Sequence, residues 1–214
     1  MTIAEKIIRA KTDCDEVYEA GKQASYDEFW DNVQKKGSNL HYLYAFAGAG
    51  WSDATYNPKY PIKVTSAGNG NHIFYYAQRI TDTKVPIDLS KATTNLSNMF
   101  ANSGLVTIRK IIFGEGITAS WATQFTGCSK LENITAEGVL PQSIDIHWST
   151  KLSRNSIESL IGVLSDTVSG KTATFSTVAV NKAFETSEGA NDGSASAEWT
   201  ALVNTKTNWT ISLV

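Results

Sequence analysis

The sequence predicts an α+β chain: one or two N-terminal helices, a short solenoid of repeats, and a closing block that mixes strands and helices. Three observations predict it. Residues 2–36 hold no proline and a single glycine, with apolar residues at helical spacing. Phenylalanine recurs at Phe46, Phe74, Phe100 and Phe125. The last third switches between strand-like and helix-like apolar periods. The predicted divisions are 1–37 for a helical attachment or oligomerisation segment, 38–148 for the repeats and 149–214 for the cap.

The first segment opens on Thr2, an N-cap whose capping box is completed by Glu5. Ile3, Ile7, Ala10, Cys14, Val17, Gly21 and Ala24 alternate spacings of four and three, an a/d seam over three heptads. A second stripe, Tyr26, Phe29, Trp30 and Val33, is wide and aromatic, as on a helix lying against a globular core. Two readings follow. The seam residues Ile3, Ile7, Ala10, Cys14 and Val17 assemble a homo-oligomeric, trimeric stalk, or the helices are amphipathic and pack on their own chain. On both, Cys14 is a small apolar seam residue.

The four phenylalanines are 28, 26 and 25 positions apart. Three positions after each stands a small residue: Ala49, Ala77, Ser103 and Cys128. A large apolar residue follows, Trp51, Ile80, Leu105 or Leu131. In the last two units an isoleucine comes three later, at Ile108 and Ile134. A fixed period of this length is the signature of stacked units, each too small to bury its own apolar face. The small slot lies where neighbouring coils approach, which makes Cys128 a packing residue.

The clearest unit, Phe125-Thr-Gly-Cys128-Ser-Lys-Leu131-Glu-Asn-Ile134, resembles the leucine-rich repeat of the BspA type, F-x-x-C-x-x-L-x-x-I. The unit at 100–108 is one residue short before its leucine, and the units at 46 and 74 are degenerate. The resemblance spans about residues 40–148 and implies a fold, not a function.

In the closing block, Ile144, Ile146 and Trp148 alternate with Asp145 and His147 and predict a strand. Ser153 is the expected N-cap of a helix whose apolar face is Ile157, Leu160, Ile161 and Leu164. Gly170 marks a turn, Lys171–Phe175 a strand, and Ser176 the cap of a helix carrying Val180 and Phe184. The polar stretch 187–194 is a loop. A last helix begins at Trp199, and Trp209, Ile211 and Leu213 alternate as a terminal strand. The order β–α–β–α–α–β supplies the distinct end unit that a solenoid needs.

The opening Thr2-Ile-Ala-Glu-Lys, the stretch Ala45-Phe46-Ala47-Gly48-Ala49-Gly50-Trp51 and the ending Asn208-Trp209-Thr210-Ile211-Ser212-Leu213 resemble leucine-rich-repeat proteins encoded by phages and prophages of gut Firmicutes. That resemblance implies a virion-associated protein of the tail or baseplate region. Its implied partners are other virion proteins or a bacterial surface glycan or protein. The alternative is an intracellular, prophage-encoded protein–protein interaction module. The start carries no apolar leader and is acidic by Asp13, so release is expected through lysis, with the virion as location.

Charge and chemistry exclude other classes. With 19 Lys and Arg against 21 Asp and Glu, the net charge is −2, unsuited to a general nucleic-acid binder. No run approaches 18 apolar residues, so no membrane insertion is expected. Cys14 and Cys128 lie 114 positions apart and form neither a disulfide framework nor a zinc site.

His41, His72 and His147 show no metal-ligand spacing, and no cofactor is expected. Asp145 and His147 would lie about 7 Å apart on one strand face, a polar surface pair. Ser169-Gly-Lys-Thr172 imitates a phosphate loop but lacks the upstream glycine, and its helix precedes it. Asp82, Asp88, Glu115, Glu132 and Glu137 are scattered and form no facing pair such as glycoside hydrolysis uses. The expectation is therefore a binding protein without catalytic residues.

Aromatics crowd 40–76: Tyr42, Tyr44, Trp51, Tyr56, Tyr60, Phe74, Tyr75 and Tyr76. Flat rings beside amides suit sugar recognition. The binding candidates are Tyr75, Tyr76, Trp121 and Trp148. In the Tyr75–Tyr76 pair, strand alternation should expose one ring and bury the other.

Overall fold

The computed structural model describes residues 45–47, 52–54, 56–58, 61–66, 68–93, 96–184 and 196–214. The predicted N-terminal seam of Ile3, Ile7, Ala10, Cys14 and Val17 lies outside the described residues, as does the predicted loop at 187–194.

Apolar residues one period apart meet as neighbouring strands. Strands β1 (Ile62–Lys63), β2 (Ile87–Asp88), β3 (Thr107–Phe113) and β4 (Asn133–Gly138) form a parallel sheet in chain order. Ile62, Ile87, Ile111 and Ala136 are successive partners across it, all buried. Ile108 and Ile111 are an odd number of residues apart, so a regular strand would point them to opposite faces. A register irregularity between them puts both in the core.

On the other side of each coil, the phenylalanines form a ladder. Ring centroids are 5.1 Å apart for Phe46–Phe74, 6.0 Å for Phe74–Phe100 and 5.2 Å for Phe100–Phe125. Interplanar angles fall from 28° to 15° to 10°. Each of the first three backbone N–H groups reaches the next coil: Phe46 to Ile73 O (2.8 Å), Phe74 to Met99 O (2.7 Å) and Phe100 to Gln124 O (3.2 Å). A β-turn follows Phe74, Phe100 and Phe125. Ala77 N–H donates to Phe74 O, Ser103 to Phe100 O and Cys128 to Phe125 O, each at 3.0 Å. Ala77, Ser103 and Cys128 are buried.

The same turn occurs once more, where the sequence reading placed a strand. Ser149 N–H donates to Ile146 O at 3.0 Å, and Ser149 Oγ donates to Cys128 O at 3.1 Å. Ile146-His-Trp-Ser149-Thr-Lys-Leu152 is thus a further unit with isoleucine in the phenylalanine slot. The predicted strand over Ile144–Trp148 shrinks to β5, Ile144–Asp145. In a continuous strand Trp148 would share the buried face of Ile146; the turn sends it outward instead.

Beyond this unit run helix α1 (Arg154–Gly162), strand β6 (Lys171–Phe175), helices α2 (Thr177–Ala183) and α3 (Ala197–Asn204), and strand β7 (Trp209–Leu213). β5, β6 and β7 form a second parallel sheet. Ile157, Leu160 and Ile161 bury one face of α1, while Leu164 lies past its end and bridges to Leu140. Ser153 and Ser176 stand at the N-cap positions with extended backbone but make no side-chain capping bond. Ser196 does cap α3, accepting from Trp199 N–H. Gly170 turns into β6 at φ +67°.

α1 also closes the free edge of the first sheet. Ser156 Oγ accepts from Ile134 N–H (2.9 Å) and donates to Glu132 O (3.1 Å). Ser159 Oγ does the same for Ala136, accepting from its N–H (2.7 Å) and donating to its carbonyl (3.1 Å). Two serines one helical turn apart replace the missing strand, so β4 offers no row of unpaired groups there.

Candidate functional site

The four aromatic candidates divide sharply. Tyr76 is 50% exposed and Trp148 46% exposed. Tyr75 is partly buried, and Trp121 is fully buried.

Tyr75 and Tyr76 sit on the turn after Phe74, not on a strand, so the expected alternation does not apply. Tyr76 has φ +54°, which carries its ring to the outside of the turn. Its ring meets that of Tyr75 edge to face at 4.6 Å and 78°, and Tyr75 meets His72 at 4.9 Å and 88°. The result is a small aromatic corner.

Trp148 occupies the equivalent place in the turn of the further unit, two residues after Ile146. Its neighbour His147 lies 5.0 Å away, centroid to centroid. Asp145 and His147 were expected about 7 Å apart on a strand face. Because the chain turns after Asp145, they meet directly: the carboxylate Oδ1 is 2.6 Å from His147 Nδ1 and also accepts the His147 backbone N–H at 3.1 Å. The pair orients the imidazole beside Trp148.

Trp121 is not a surface residue. It bridges to Ile144 and stands edge-on to Phe113 (4.9 Å, 81°) and 6.0 Å from Phe125. The residue fills the core between the last phenylalanine and the first sheet, so it cannot contact a ligand. Tyr56 is buried likewise, its hydroxyl donating to Thr83 O at 2.6 Å. Tyr42, Tyr44, Trp51 and Tyr60 lie outside the described residues.

Three of the carboxylates among the repeats, Asp82, Asp88 and Glu137, have partners within the scaffold. Asp82 takes a bidentate contact from Arg109 and accepts Lys84 N–H. Burial raises its pKa, but the Arg109 and Lys84 contacts outweigh burial and hold it below the usual carboxylate range. Lys110 pairs with Glu137 at 2.5 Å, and Asp88 accepts Ser90 N–H at 3.0 Å. Cys128 Sγ donates to Phe100 O at 3.1 Å, and burial pushes its thiol up to about 11. That is the opposite of what a nucleophilic thiolate requires. Among the described residues, no group of three His, Cys, Asp or Glu side chains is placed to hold a metal ion, and no helix is long and apolar enough to cross a membrane.

The sequence reading missed that Tyr76 and Trp148 are equivalent. The signal was available as a spacing: each stands two positions after an inward residue, with a small residue one further on, Ala77 or Ser149. Isoleucine in the phenylalanine slot concealed it. Comparison with protein-family models, curated proteins and solved structures finds no match.

Proposed function

We propose that this chain is a BspA-like leucine-rich-repeat protein of a phage or prophage, a non-enzymatic virion component of the tail or baseplate region. Its repeat surface would bind a host-surface molecule or a neighbouring virion protein, with the N-terminal segment for attachment or oligomerisation. The observation that carries the reading is the ladder: equal turns, each with an inward phenylalanine or isoleucine and a buried small residue, held side by side by backbone hydrogen bonds. Such stacking serves to extend a surface, and function then lies in what the surface displays. The display consists of exposed rings on turns, with Asp82, Asp145 and the buried Cys128 thiol tied into the scaffold.

The test is co-sedimentation of the full chain with intact Gram-positive gut bacteria, competed by their extracted wall polysaccharide. Saturable, competable binding is expected. No binding across a broad panel refutes the host-surface arm and leaves the virion partner. Detection of the protein in infected cells but never in purified virions would replace both with the intracellular interaction module.

A further inference from the structure

We infer that one side of the turn ridge binds an anionic glycan, with Tyr76 and Trp148 as ring platforms and Arg79, Lys130 and Lys151 as partners of its acidic groups. The inference rests on the host-surface reading and deepens it by naming the ligand chemistry.

The register of the turns brings these residues together. Two turns follow in tandem: after the turns described above, Ile80 N–H donates to Ala77 O, Leu131 to Cys128 O and Leu152 to Ser149 O. Every third residue therefore points inward: Phe74, Ala77 and Ile80; Phe125, Cys128 and Leu131; Ile146, Ser149 and Leu152, all buried. Residues two and five positions after the first inward one then share one outward side. They are Tyr76 and Arg79, Gly127 and Lys130, and Trp148 and Lys151, with Asn102 from the intervening short unit. Tyr76, Arg79, Lys130, Trp148 and Lys151 are all exposed.

The turns lie side by side through Tyr76 N–H to Ala101 O (3.0 Å), Asn102 N–H to Thr126 O (2.7 Å) and Ser149 Oγ to Cys128 O (3.1 Å). Tyr76 and Trp148 are three coils apart, about 15 Å at the usual inter-strand spacing. Between them the ridge is low: the Asn102 amide lies where a side chain on Gly127 would go. Two rings thus flank an amide floor. The span is too wide to enclose one apolar side chain but matches a short oligosaccharide, whose apolar ring faces stack on aromatics while its hydroxyls need donors and acceptors.

The charge decides which glycan. Among the described residues, Arg79, Lys130 and Lys151 have no carboxylate within ion-pair distance. Two acids beside the turns have other partners: Asp145 is held by His147, and Asp53 accepts Thr81 N–H at 2.7 Å. Each ring-bearing turn carries a cation three residues after its ring, Arg79 or Lys151, and Lys130 adds a third one coil before Lys151, in a chain whose net charge is −2. That local contrast selects a sugar polymer carrying phosphate or carboxylate, while the overall charge opposes general polyanion binding.

The test titrates the full chain with a sugar-substituted ribitol-phosphate polymer, with neutral dextran and single-stranded DNA as comparison probes. The sugar-phosphate polymer should bind, and the two comparison probes should not. Tyr76→Ala and Trp148→Ala should each weaken binding about fivefold to tenfold, with Trp148→Phe nearer wild type. Replacing Arg79, Lys130 and Lys151 by Gln should weaken it about tenfold or more and flatten its salt dependence. Urea unfolding curves equal to wild type will show that these exposed substitutions leave the fold intact. Unchanged binding in both ring variants, or equal binding of dextran or DNA, overturns the inference. If cells bind while the polymer does not, and the variants bind cells like wild type, the inference fails and the host-surface reading stands. If cells do not bind either, both fail.

Discussion

Phe100→Ala is the sharpest probe of the ladder. Phe100 is fully buried, 6.0 Å from Phe74 at 15° and 5.2 Å from Phe125 at 10°. Core Phe→Ala changes cost about 3–5 kcal/mol, depending on how far the site can collapse. Here collapse is resisted, because the coils on both sides are held by backbone bonds from Phe74 to Met99 and from Phe100 to Gln124. Two stacking partners are lost at once, in a ladder where stability depends on neighbour contacts. The cost should sit near the top of the range, about 4–5 kcal/mol, which lowers Tm by about 8–20 °C in a chain of this size. Phe100→Leu keeps much of the volume but loses both ring stacks, and should cost about 1–3 kcal/mol, less than the alanine. Tyr76→Ala, an exposed ring one unit away, should stay within about 0.5 kcal/mol. Urea unfolding followed by far-ultraviolet circular dichroism measures all three, with an unchanged m-value as the check that only stability moved. A cost below about 1.5 kcal/mol for Phe100→Ala, or equal costs for Ala and Leu, would refute the claim that this stack holds the coils together.

Gly104→Ala places a methyl against the Gln78 carbonyl oxygen, so backbone must move. The expected cost is about 2–3 kcal/mol by thermal unfolding, whereas Gly162→Ala, with open space around it at the end of α1, should be neutral or stabilising by up to about 1 kcal/mol. Lys206 separates a hydrogen bond from an ion pair. Its Nζ donates to Leu164 O at 2.6 Å and lies 2.8 Å from an Asp166 that is largely exposed. Lys206→Ala should cost about 1–3 kcal/mol by leaving that carbonyl unpaired, and Asp166→Asn about 0.5 kcal/mol or less, by chemical denaturation. Cys128, its thiol raised to about 11, should resist iodoacetamide at pH 8 in the native chain and react once unfolded. Peptide mapping reads the site directly, and native labelling at the rate of a free thiol would refute its burial.

How much of this was legible in the sequence depends on the kind of order involved. The Phe, small and Leu slots were visible because stacking places one residue type at one inward position in each coil, and the core of the coils repeats with them. α1 was visible at Ile157, Leu160 and Ile161, since its buried face repeats at helical spacing. The aromatic positions were harder. Tyr75–Tyr76 and Ile144–Trp148 look like strands by local alternation, but tight turns closed by Ala77 N–H to Phe74 O and Ser149 N–H to Ile146 O overrule it. Trp121 is distinguished from Trp148 only by which side of the coil it faces, a property of register and not of composition. The serines that close the β4 edge, Ser156 and Ser159, carry no signal in the helical pattern, because what makes them special is the strand they face.

The short third unit shows how one missing residue propagates into the surface. Units two and four place one residue more between the small slot and the apolar one, Ala77 to Ile80 and Cys128 to Leu131, and close that step with a turn bond inside the coil. Between Ser103 and Leu105 there is only Gly104, and its N–H donates to Ala77 O of the preceding coil at 3.0 Å. An internal bond has become an inter-coil bond. The backbone is drawn against Gln78 so closely that no side chain fits, which is why glycine stands there. Leu105 still reaches the core, but the unit has no outward residue to match Arg79, Lys130 and Lys151. The same deletion therefore tightens the scaffold between the second and third coils and opens the gap in the basic row. Inserting a lysine before Leu105 would fill that gap at the expense of the inter-coil bond, so its effects on ligand affinity and on stability should have opposite signs.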